Sequence, residues 1–286
     1  MNTNRLAFKG VSESTRNVKL AVNEIFTSVQ GEGMWAGVPS IFVRLSGCNL
    51  RCCFRNPEGG ITTCDTPYAS FKPEALRYKT IGETLDALAE YMVEYPEIEH
   101  IVFTGGEPLL QQEPLAILIE ALDTYTSEES VLFTYTVETN GTIVPSRDML
   151  NNISLWSVSP KLEGSCAFDE GCGVSEALQQ QHKRLRINPE ALGSIAYNSQ
   201  LCQFKFVWTG PECEAEIDSV IKAVSNNREI SHRNAQELMC ITIMPQGIRP
   251  EEISANADQI VETCMRRGWR YSDRLQIRLW GNKRGV

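Results

Sequence analysis

The amino-acid sequence predicts an α/β fold built from repeated strand–helix units around an open parallel sheet. Three observations predict it: strand-like and helix-like segments alternate, about six strands are recognisable, and most residues suited to chemistry follow directly after strands. Because a closed (β/α)8 barrel needs eight strands, an open, incomplete barrel or a doubly wound sheet fits better. In either fold the functional site lies at the carboxyl ends of the strands.

Short apolar segments define the strands. SIFVRLSG is β-branched and apolar, and HIVFTGG is an apolar run that ends in glycines. In chain order, strands are predicted at 40–47, 100–106, 131–139, 155–160, 203–208, 237–245 and 274–280.

Helices are predicted where apolar residues recur at helical spacing, as Ile217, Val220, Ile221 and Val224 do. In chain order, these helices lie near 80–94, 111–125, 212–225 and 250–267. The least periodic stretch, 162–200, is predicted to be an inserted loop with a short helix. Since no linker or internal repeat is evident, we expect a single domain over 1–286.

Composition excludes several classes of protein. The formal net charge of −9 gives no general attraction for nucleic acid. The first residues lack the apolar core of a signal peptide, and no run of about 18 apolar residues is present to span a membrane. We therefore expect a cytoplasmic protein, in which ten cysteines do not form a disulfide framework.

Four of the ten cysteines lie in one short stretch, GCNLRCCFRNPEGGITTCDT at 47–66. Cys48, Cys52 and Cys64 form C-x3-C-x11-C, with Cys53 as a neighbour. A structural zinc usually takes four Cys or His ligands in paired short spacings, and no histidine is near in sequence. Three thiolates with an open fourth position suit a [4Fe–4S] cluster. Spacing alone leaves zinc and iron–sulfur both open.

The segments around these cysteines carry a family resemblance. They are FTSVQGEGMWAGVPSIFVRLSGCNLRC at 26–52, CDT at 64–66, IVFTGGEPLLQ at 101–111, VETNGT at 137–142, SVSPK at 157–161 and WGNKRGV at 280–286. Together they resemble the 7-carboxy-7-deazaguanine synthases, which are radical S-adenosylmethionine (SAM) enzymes. GGEP alone indicates only the wider radical SAM group, whereas QGEG, RLxGCNLxC and CDT are more specific. The resemblance covers nearly the whole chain.

This resemblance implies a fold, cofactors and partners. The fold is an incomplete (β/α)6 barrel of the radical SAM type, and the cofactors are a [4Fe–4S] cluster, SAM and Mg²⁺. The partners are a small pterin substrate, an electron donor such as flavodoxin, and a second copy of the chain in a homodimer.

The cysteine spacing departs from the family pattern, which is C-x3-C-x2-C. Eleven residues separate Cys52 from Cys64, and Pro57, Gly59 and Gly60 indicate a looped-out insertion at about 53–63. We expect this insertion to be a surface excursion with no essential chemistry. Because Cys52 keeps the CNLxC context, it is the predicted ligand rather than Cys53.

The resemblance also implies site residues. The predicted metal ligands are Cys48, Cys52 and Cys64 for the cluster and Thr66 of CDT for Mg²⁺. The predicted SAM contacts are Gly105, Gly106, Glu107, Glu138, Ser159, Pro160, Lys161, Pro245, Gln246 and Gly247. The predicted substrate contacts are Val29, Gln30, Gly31, Glu32, Arg44, Thr104 and Arg278. Family members carry a histidine in the region of Arg278, so that contact departs from the pattern.

Some of these residues also allow a purely structural interpretation. Arg44, in an otherwise apolar strand, fits either a structural salt bridge or a bidentate grip on a substrate carboxylate. Thr66 is compatible with a turn or helix cap. Glu138 is compatible with a lysine partner.

The reaction implied by the family is the conversion of 6-carboxy-5,6,7,8-tetrahydropterin to 7-carboxy-7-deazaguanine with release of ammonia, in 7-deazapurine biosynthesis such as that of queuosine. One alternative is a radical SAM activase that generates a glycyl radical on a partner protein, for which QGEG and CDT have no role. A further alternative is a zinc-containing binding module without catalysis.

Overall fold

The computed structural model describes residues 8, 10–56, 59–71, 76–129, 132–169, 172–225 and 232–286. Its main element is a nine-stranded sheet with the order β5–β1–β2–β6–β7–β8–β9–β10–β11. These strands are β1 (Lys19–Val29), β2 (Pro39–Leu45), β5 (Tyr78–Thr80), β6 (His100–Gly105), β7 (Thr134–Thr139), β8 (Leu155–Val158), β9 (Cys202–Trp208), β10 (Ile241–Pro245) and β11 (Arg270–Tyr271). A separate antiparallel hairpin consists of β3 (Cys53–Arg55) and β4 (Ile61–Thr63).

Strand directions define the α/β character of the sheet. From β2 through β6 to β11, each strand runs parallel to its neighbour. β1 runs antiparallel to both β2 and β5. Because β5 and β11 are the two edges among the described residues, the sheet is open. The predicted α/β fold with an incomplete barrel is confirmed.

Helices connect the strands. They are α1 (Glu13–Arg16), α2 (Pro67–Ser70), α3 (Ile81–Glu94), α4 (Gln112–Glu129), α5 (Arg147–Asn152), α6 (Glu176–Leu185), α7 (Pro189–Asn198), α8 (Cys213–Ser225), α9 (His232–Met239), α10 (Pro250–Ala255), α11 (Ala257–Arg267) and α12 (Leu275–Trp280). Short 3-10 helices lie at Gly33–Trp35, Pro108–Gln111 and Glu163–Ser165. Within the described ranges, no helix is long and apolar enough to cross a bilayer.

Local sequence sets several helix boundaries. α3 begins where the Thr80 side chain accepts a hydrogen bond from the Glu83 backbone N–H. α7 begins with an Asn188 cap followed by a proline at its first position. α11 ends at Gly268, whose φ of 67° is left-handed.

Alternation along the strands separates the core from the concave face. In β2, Ile41, Val43 and Leu45 are fully buried in the hydrophobic core. The intervening Phe42 and Arg44 line a cavity on the opposite face. Since successive strand residues point to opposite faces, one strand supplies both core and site.

Most predicted elements are confirmed, with boundary differences. The helices at 80–94, 111–125 and 212–225 correspond to α3, α4 and α8, and six predicted strands correspond to β2, β6, β7, β8, β9 and β10. Residue 131 of one predicted strand lies outside the described residues. The strand predicted at 237–245 forms only from Ile241, because α9 ends at Met239. The helix predicted at 250–267 is divided into α10 and α11.

Three sequence interpretations were wrong or incomplete. Residues 274–280 form α12 rather than a strand: the alternation of Leu275, Ile277 and Leu279 suggests a strand, yet only Ile277 is buried. The edge position beside β10 is already taken by β11. The stretch 162–200 holds two helices, α6 and α7, and α6 was missed because it buries only one residue. The long strand β1 was not predicted as a strand.

Candidate active site

One cavity of about 1000 Å³ lies on the concave side of the sheet. Residues from β1, β2 and β6 to β10 all line it, so the sheet curves around it. The predicted site residues in its lining are Val29, Gln30, Gly31, Glu32, Arg44, Cys48, Cys52, Cys64, Thr66, Thr104, Gly105, Gly106, Glu138, Ser159, Lys161, Pro245, Gln246 and Gly247. Glu107, Pro160 and Arg278 are not part of this lining.

Three cysteines contribute to the cavity wall: Cys48, Cys52 and Cys64. The Cys64 backbone N–H donates to the Cys52 carbonyl at 3.1 Å, which brings the CDT segment back to the CNLRC loop despite the insertion. Cys48 Sγ accepts from the Leu50 backbone N–H at 3.4 Å and from Asn140 Nδ2 at 3.8 Å. These donors fix the direction of the Cys48 thiol.

Burial controls the charge of these thiols. It raises the pKa of Cys48 to about 11, and it also raises the pKa of Cys52, while the nearby Lys161 charge partly opposes both shifts. Burial and Asp65 raise the pKa of Cys64. The thiols are therefore protonated until a metal displaces the protons, as expected of a metal site that loads with proton release.

Cys53 belongs to a different group of thiols. It pairs with Cys166 in a β-bridge, and its carbonyl accepts from the Ala167 backbone N–H at 3.0 Å. Burial and the neighbouring Cys172 thiol raise the pKa of Cys53 to about 11. Unlike Cys52, Cys53 is absent from the cavity lining, so the geometry favours Cys52 as the second cluster ligand.

The thiol set bears on the choice between zinc and a cluster. Among the described residues, no three His, Cys, Asp or Glu side chains are close enough together to hold a single metal ion. Three thiols spaced around one cavity fit a [4Fe–4S] cluster, which is larger than an ion and leaves one iron open. A structural zinc needs four ligands in a closed tetrahedron.

The GGEP segment locks the cysteine loop in place. A Cβ on Gly106 would lie 1.8 Å from the Gly47 carbonyl oxygen, and one on Gly105 would lie 2.2 Å from the Leu45 oxygen. The Glu107 backbone N–H donates to the Gly47 oxygen at 2.8 Å. These glycines therefore permit close approach to the backbone just before Cys48.

Glu107 supports this arrangement from below the cavity. It is fully buried and accepts hydrogen bonds from Thr139 Oγ1 at 2.7 Å, the Asn140 N–H at 2.7 Å and the Leu109 N–H at 3.0 Å. Its side chain joins the GGEP and ETNG segments. Glu107 and Pro160 are both buried and neither lines the cavity, and their assignment as SAM contacts stays a prediction.

The insertion is a wall of the cavity rather than a surface excursion. Phe54, Arg55, Asn56, Thr62 and Thr63 of the β3–β4 hairpin contribute to the lining. The Arg55 carbonyl accepts from Gln246 Nε2 at 2.6 Å, and its guanidinium pairs with Asp169 at 2.6 Å. Tertiary contacts thus hold the hairpin against Gln246, one of the predicted SAM contacts.

Glu32 of the QGEG turn is the centre of a buried polar cluster. Its carboxylate accepts from Lys205 Nζ at 2.7 Å, Arg274 Nε at 3.0 Å and Gln276 Nε2 at 2.9 Å. Burial alone would raise the pKa of Glu32, but Lys205 and Arg274 outweigh it and hold the pKa well below its usual range. Arg274 also binds Asp65 at 2.7 Å, which ties CDT to the QGEG turn.

Glu138 lies among the predicted substrate contacts. It accepts from Gln30 Nε2 at 3.2 Å and from Thr104 Oγ1 at 2.7 Å. Lys205 Nζ lies 3.8 Å from Glu138 Oε1, so the lysine partner that the sequence allows for Glu138 is Lys205. The predicted contact of Glu138 with the SAM ribose stays a prediction.

Arg44 is held in place by an ion pair and two rings. Its Nε donates to Glu24 Oε1 at 2.7 Å, and Arg284 Nε binds the other Glu24 oxygen at 2.9 Å. The guanidinium lies 5.3 Å from the Phe26 ring centroid and 5.9 Å from that of Tyr68. No described residue accepts from the terminal nitrogens of Arg44. The structural salt bridge between Arg44 and Glu24 is therefore present, and it leaves the terminal guanidinium nitrogens of Arg44 available to an anion.

Two further predicted residues have polar groups at the cavity. Lys161 Nζ donates to Ser159 Oγ at 2.7 Å, directly after β8. Thr66 Oγ1 lies 3.4 Å from Cys64 Sγ. Thr66 is also the N-cap residue of α2, but its side chain caps no backbone N–H, so the hydroxyl is not committed to the helix.

Arg278 lies outside the cavity lining, and its assignment as a substrate contact stays a prediction. It pairs with Asp273 at 3.1 Å and donates to Ser254 Oγ at 2.6 Å. Arg274, the N-cap residue of α12, and Gln276 in its first turn line the cavity, whereas Arg278 contacts Ser254 of α10. The sequence did not identify Arg274, Gln276 or Lys205 as site residues. Lys205 alternates with aromatic residues in QFKFVW, the same signal that identified Arg44.

Comparisons with known proteins place the chain in a family. A family model described as a 4Fe-4S single cluster domain matches residues 29–180, more than half of the chain, including all three cavity cysteines. The fold and the site therefore define an iron–sulfur protein with a barrel of the radical SAM type.

Two relatives are similar over almost the entire chain. The 7-carboxy-7-deazaguanine synthase of Halobacterium salinarum is 36% identical over 271 residues, covering 92% of this chain and 91% of that protein. The enzyme of the same name from Rhodopirellula baltica is 33% identical over 267 residues, covering 93% and 89%. The chain belongs to the 7-carboxy-7-deazaguanine synthase family. The crystal structure of QueE from Escherichia coli shares the fold, with a TM-score of 0.57 at 23% identity over 96% of this chain and all of that one.

Proposed function

We propose that the protein converts 6-carboxy-5,6,7,8-tetrahydropterin to 7-carboxy-7-deazaguanine with release of ammonia, using a [4Fe–4S] cluster and SAM. The observation that carries this proposal is a single cavity lined by the three cysteines together with Gln30, Gly31, Glu32, Arg44, Ser159 and Lys161. The names of the relatives support the same reaction.

The cluster and SAM occupy one part of the cavity in this proposal. Cys48, Cys52 and Cys64 hold the cluster, while Ser159 and Lys161 offer a hydroxyl and a positive charge to the SAM carboxylate. Backbone groups at 105–106 and 245–247 complete the SAM site. When bound, these groups supply the one-electron chemistry that makes the substrate radical; the protein orients the reactants and excludes water.

The substrate occupies the part of the cavity built on Arg44 and Glu32. Ring contacts and Glu24 restrict the Arg44 guanidinium, so its terminal nitrogens are preorganised for the substrate carboxylate. Gln30, Glu32 and Thr104 face the pterin ring in this arrangement.

Three finer assignments are part of the proposal. Mg²⁺ binds the Thr66 hydroxyl, with substrate oxygens and water as its other ligands. An electron donor such as flavodoxin reduces the cluster. The enzyme is a homodimer.

A glycyl-radical activase is the less favoured alternative. Its substrate is a loop of another protein, which must enter the cavity. The buried Glu32–Lys205–Arg274 cluster and the β3–β4 hairpin instead build a polar pocket suited to a small molecule.

The test is an anaerobic reaction of the reconstituted protein with SAM, a reductant, Mg²⁺ and the carboxytetrahydropterin. A parallel reaction uses the tetrahydropterin without its carboxylate. Product by mass analysis only from the carboxylated substrate supports the proposal. SAM cleavage without any pterin product contradicts it.

A further inference from the structure

Glu32 holds two side chains whose hydrogen-bonding groups are not fully used by the described residues. Lys205 Nζ donates to Oε2 at 2.7 Å, and Gln276 Nε2 donates to Oε1 at 2.9 Å. An ammonium has three N–H donors, and Glu138 at 3.8 Å is too distant for a normal hydrogen bond. Gln276 Oε1 is buried and accepts no hydrogen bond from the residues that the structure covers.

Both residues belong to the lining of the same cavity, and Gln276 Oε1 lies beside Gly31 of that lining. Lys205 and Gln276 are part of its lining, and the Lys205 side chain is only 4% exposed. A buried donor or acceptor without a partner destabilises the folded protein. Lys205 Nζ is a donor and Gln276 Oε1 is an acceptor that the described residues do not fully satisfy, and both side chains are fixed on the two oxygens of the Glu32 carboxylate. Together they indicate a ligand that offers a complementary acceptor and donor.

The charge state of this pair is defined. Burial opposes the charged form of Lys205, but Glu32 and Glu138 outweigh it and raise the pKa of Lys205 above its ordinary value. The ammonium therefore remains a donor at neutral pH. Gln276 orients its amide by giving Nε2 to Glu32, so its Oε1 is left as an acceptor.

We propose that Lys205 and Gln276 determine specificity for the lactam edge of the pterin, which consists of the C4 carbonyl and the adjacent N3–H. Lys205 donates to the carbonyl oxygen, and Gln276 Oε1 accepts from the N–H. This inference rests on the proposed function, because it takes the pterin as the ligand. Glu32 acts as the positioning residue that holds both groups.

Two ligands separate this role from a structural one. The first is 6-carboxy-5,6,7,8-tetrahydropterin, and the second is its counterpart with an amino group at C4, which lacks both the carbonyl and the N3–H. Dissociation constants are measured anaerobically with cluster-loaded protein and SAM. The wild-type protein should prefer the lactam by at least about tenfold.

Lys205→Met should abolish most of this preference. A hydrogen bond to a charged group is worth about 1.5–3 kcal/mol, so lactam binding should weaken by about ten- to a hundredfold. Binding of the amino analogue should change by less than about threefold. Lys222→Met, the same substitution at an exposed position of α8, should leave the preference unchanged.

Gln276→Met keeps the proposal testable if Lys205→Met does not fold, because it removes no charge. It should reduce the preference by about fivefold, the worth of a neutral hydrogen bond. Equal weakening of both ligands, or an unchanged preference in a folded variant, overturns the inference. If the wild-type protein binds neither pterin, the proposed function itself fails; if it converts the pterin while both variants keep the preference, only this inference fails.

Discussion

A methyl group added at Gly106 should disrupt the cluster site without touching a cysteine. In Gly106→Ala, the new Cβ would lie 1.8 Å from the Gly47 carbonyl oxygen, where an ordinary contact needs at least 3.4 Å. The two backbones must separate by roughly 1.6 Å, the difference between those distances. Gly47 precedes Cys48, and its oxygen accepts the Glu107 N–H at 2.8 Å, so the movement breaks that bond and shifts the first cluster ligand.

The expected loss can be estimated from two contributions. Overpacking costs about 1–3 kcal/mol, and a lost backbone hydrogen bond costs about 1 kcal/mol. At about 2 °C per kcal/mol for a domain of this size, the Tm of the cluster-free protein should fall by about 4–8 °C. Iron bound after anaerobic reconstitution should fall well below that of the wild type.

Gly193→Ala is the matched control. Gly193 lies inside α7, and the nearest atom to its added Cβ is 3.9 Å away, on Tyr197. Alanine should stabilise this helix by about 0.5–1 kcal/mol, with no change in iron content. A Gly106→Ala protein with full iron and an unaltered Tm would refute the reasoning that GGEP fixes the cysteine loop.

Three further predictions follow from the site. Cys52→Ala should lose iron after reconstitution while Cys53→Ala keeps it, and the reverse result would exchange the assignment. Arg44→Ala should weaken substrate binding by about ten- to a hundredfold. If Arg44 and Thr66 bind one carboxylate, the double variant Arg44→Ala/Thr66→Ala should lose less binding free energy than the sum of the two single variants. Strictly additive losses of binding free energy, from the measured dissociation constants, would contradict a shared carboxylate. Because the pKa of Glu32 is depressed in the folded protein, the ionised carboxylate stabilises the fold above its ordinary pKa of 4.5, and this stabilisation is lost as the pH falls below that value. Urea titrations of the wild type and of Glu32→Gln measure the difference between their free energies of unfolding, which should narrow below about pH 4.5. A difference that stays constant with pH would contradict this prediction.

The sequence predicted the parallel sheet well because its central strands are continuous apolar runs. It failed where tertiary contacts override local pattern. The segment 274–280 alternates like a strand, yet it forms a helix after the N-cap residue Arg274, and Arg274 and Gln276 both bind Glu32. The β3–β4 hairpin has the Pro and Gly content of a surface loop, and only its contacts with 166–169 and Gln246 place it in the cavity wall.

The candidate site was predictable to the extent that motifs carried it. The three predicted cluster cysteines, the QGEG motif and Arg44 were found in this way, and the cavity lining includes those cysteines, Arg44 and the first three residues of QGEG. Lys205 has no motif of its own, although a lysine alternating with aromatic residues in a buried strand is a physical signal. The role of Gly106 could not be read from the sequence, because the atom it avoids belongs to Gly47, far away in the chain.

The most direct measurement of the central claim is the parallel quantification of deazaguanine product and ammonia in one anaerobic reaction. The reaction contains cluster-loaded wild-type protein, SAM, a reductant, Mg²⁺ and excess 6-carboxy-5,6,7,8-tetrahydropterin. The proposed reaction should give equal amounts of ammonia and of a product lighter than the substrate by one ammonia, and Cys64→Ala should form neither. Unaltered pterin after SAM cleavage by the fully loaded wild-type protein would contradict it.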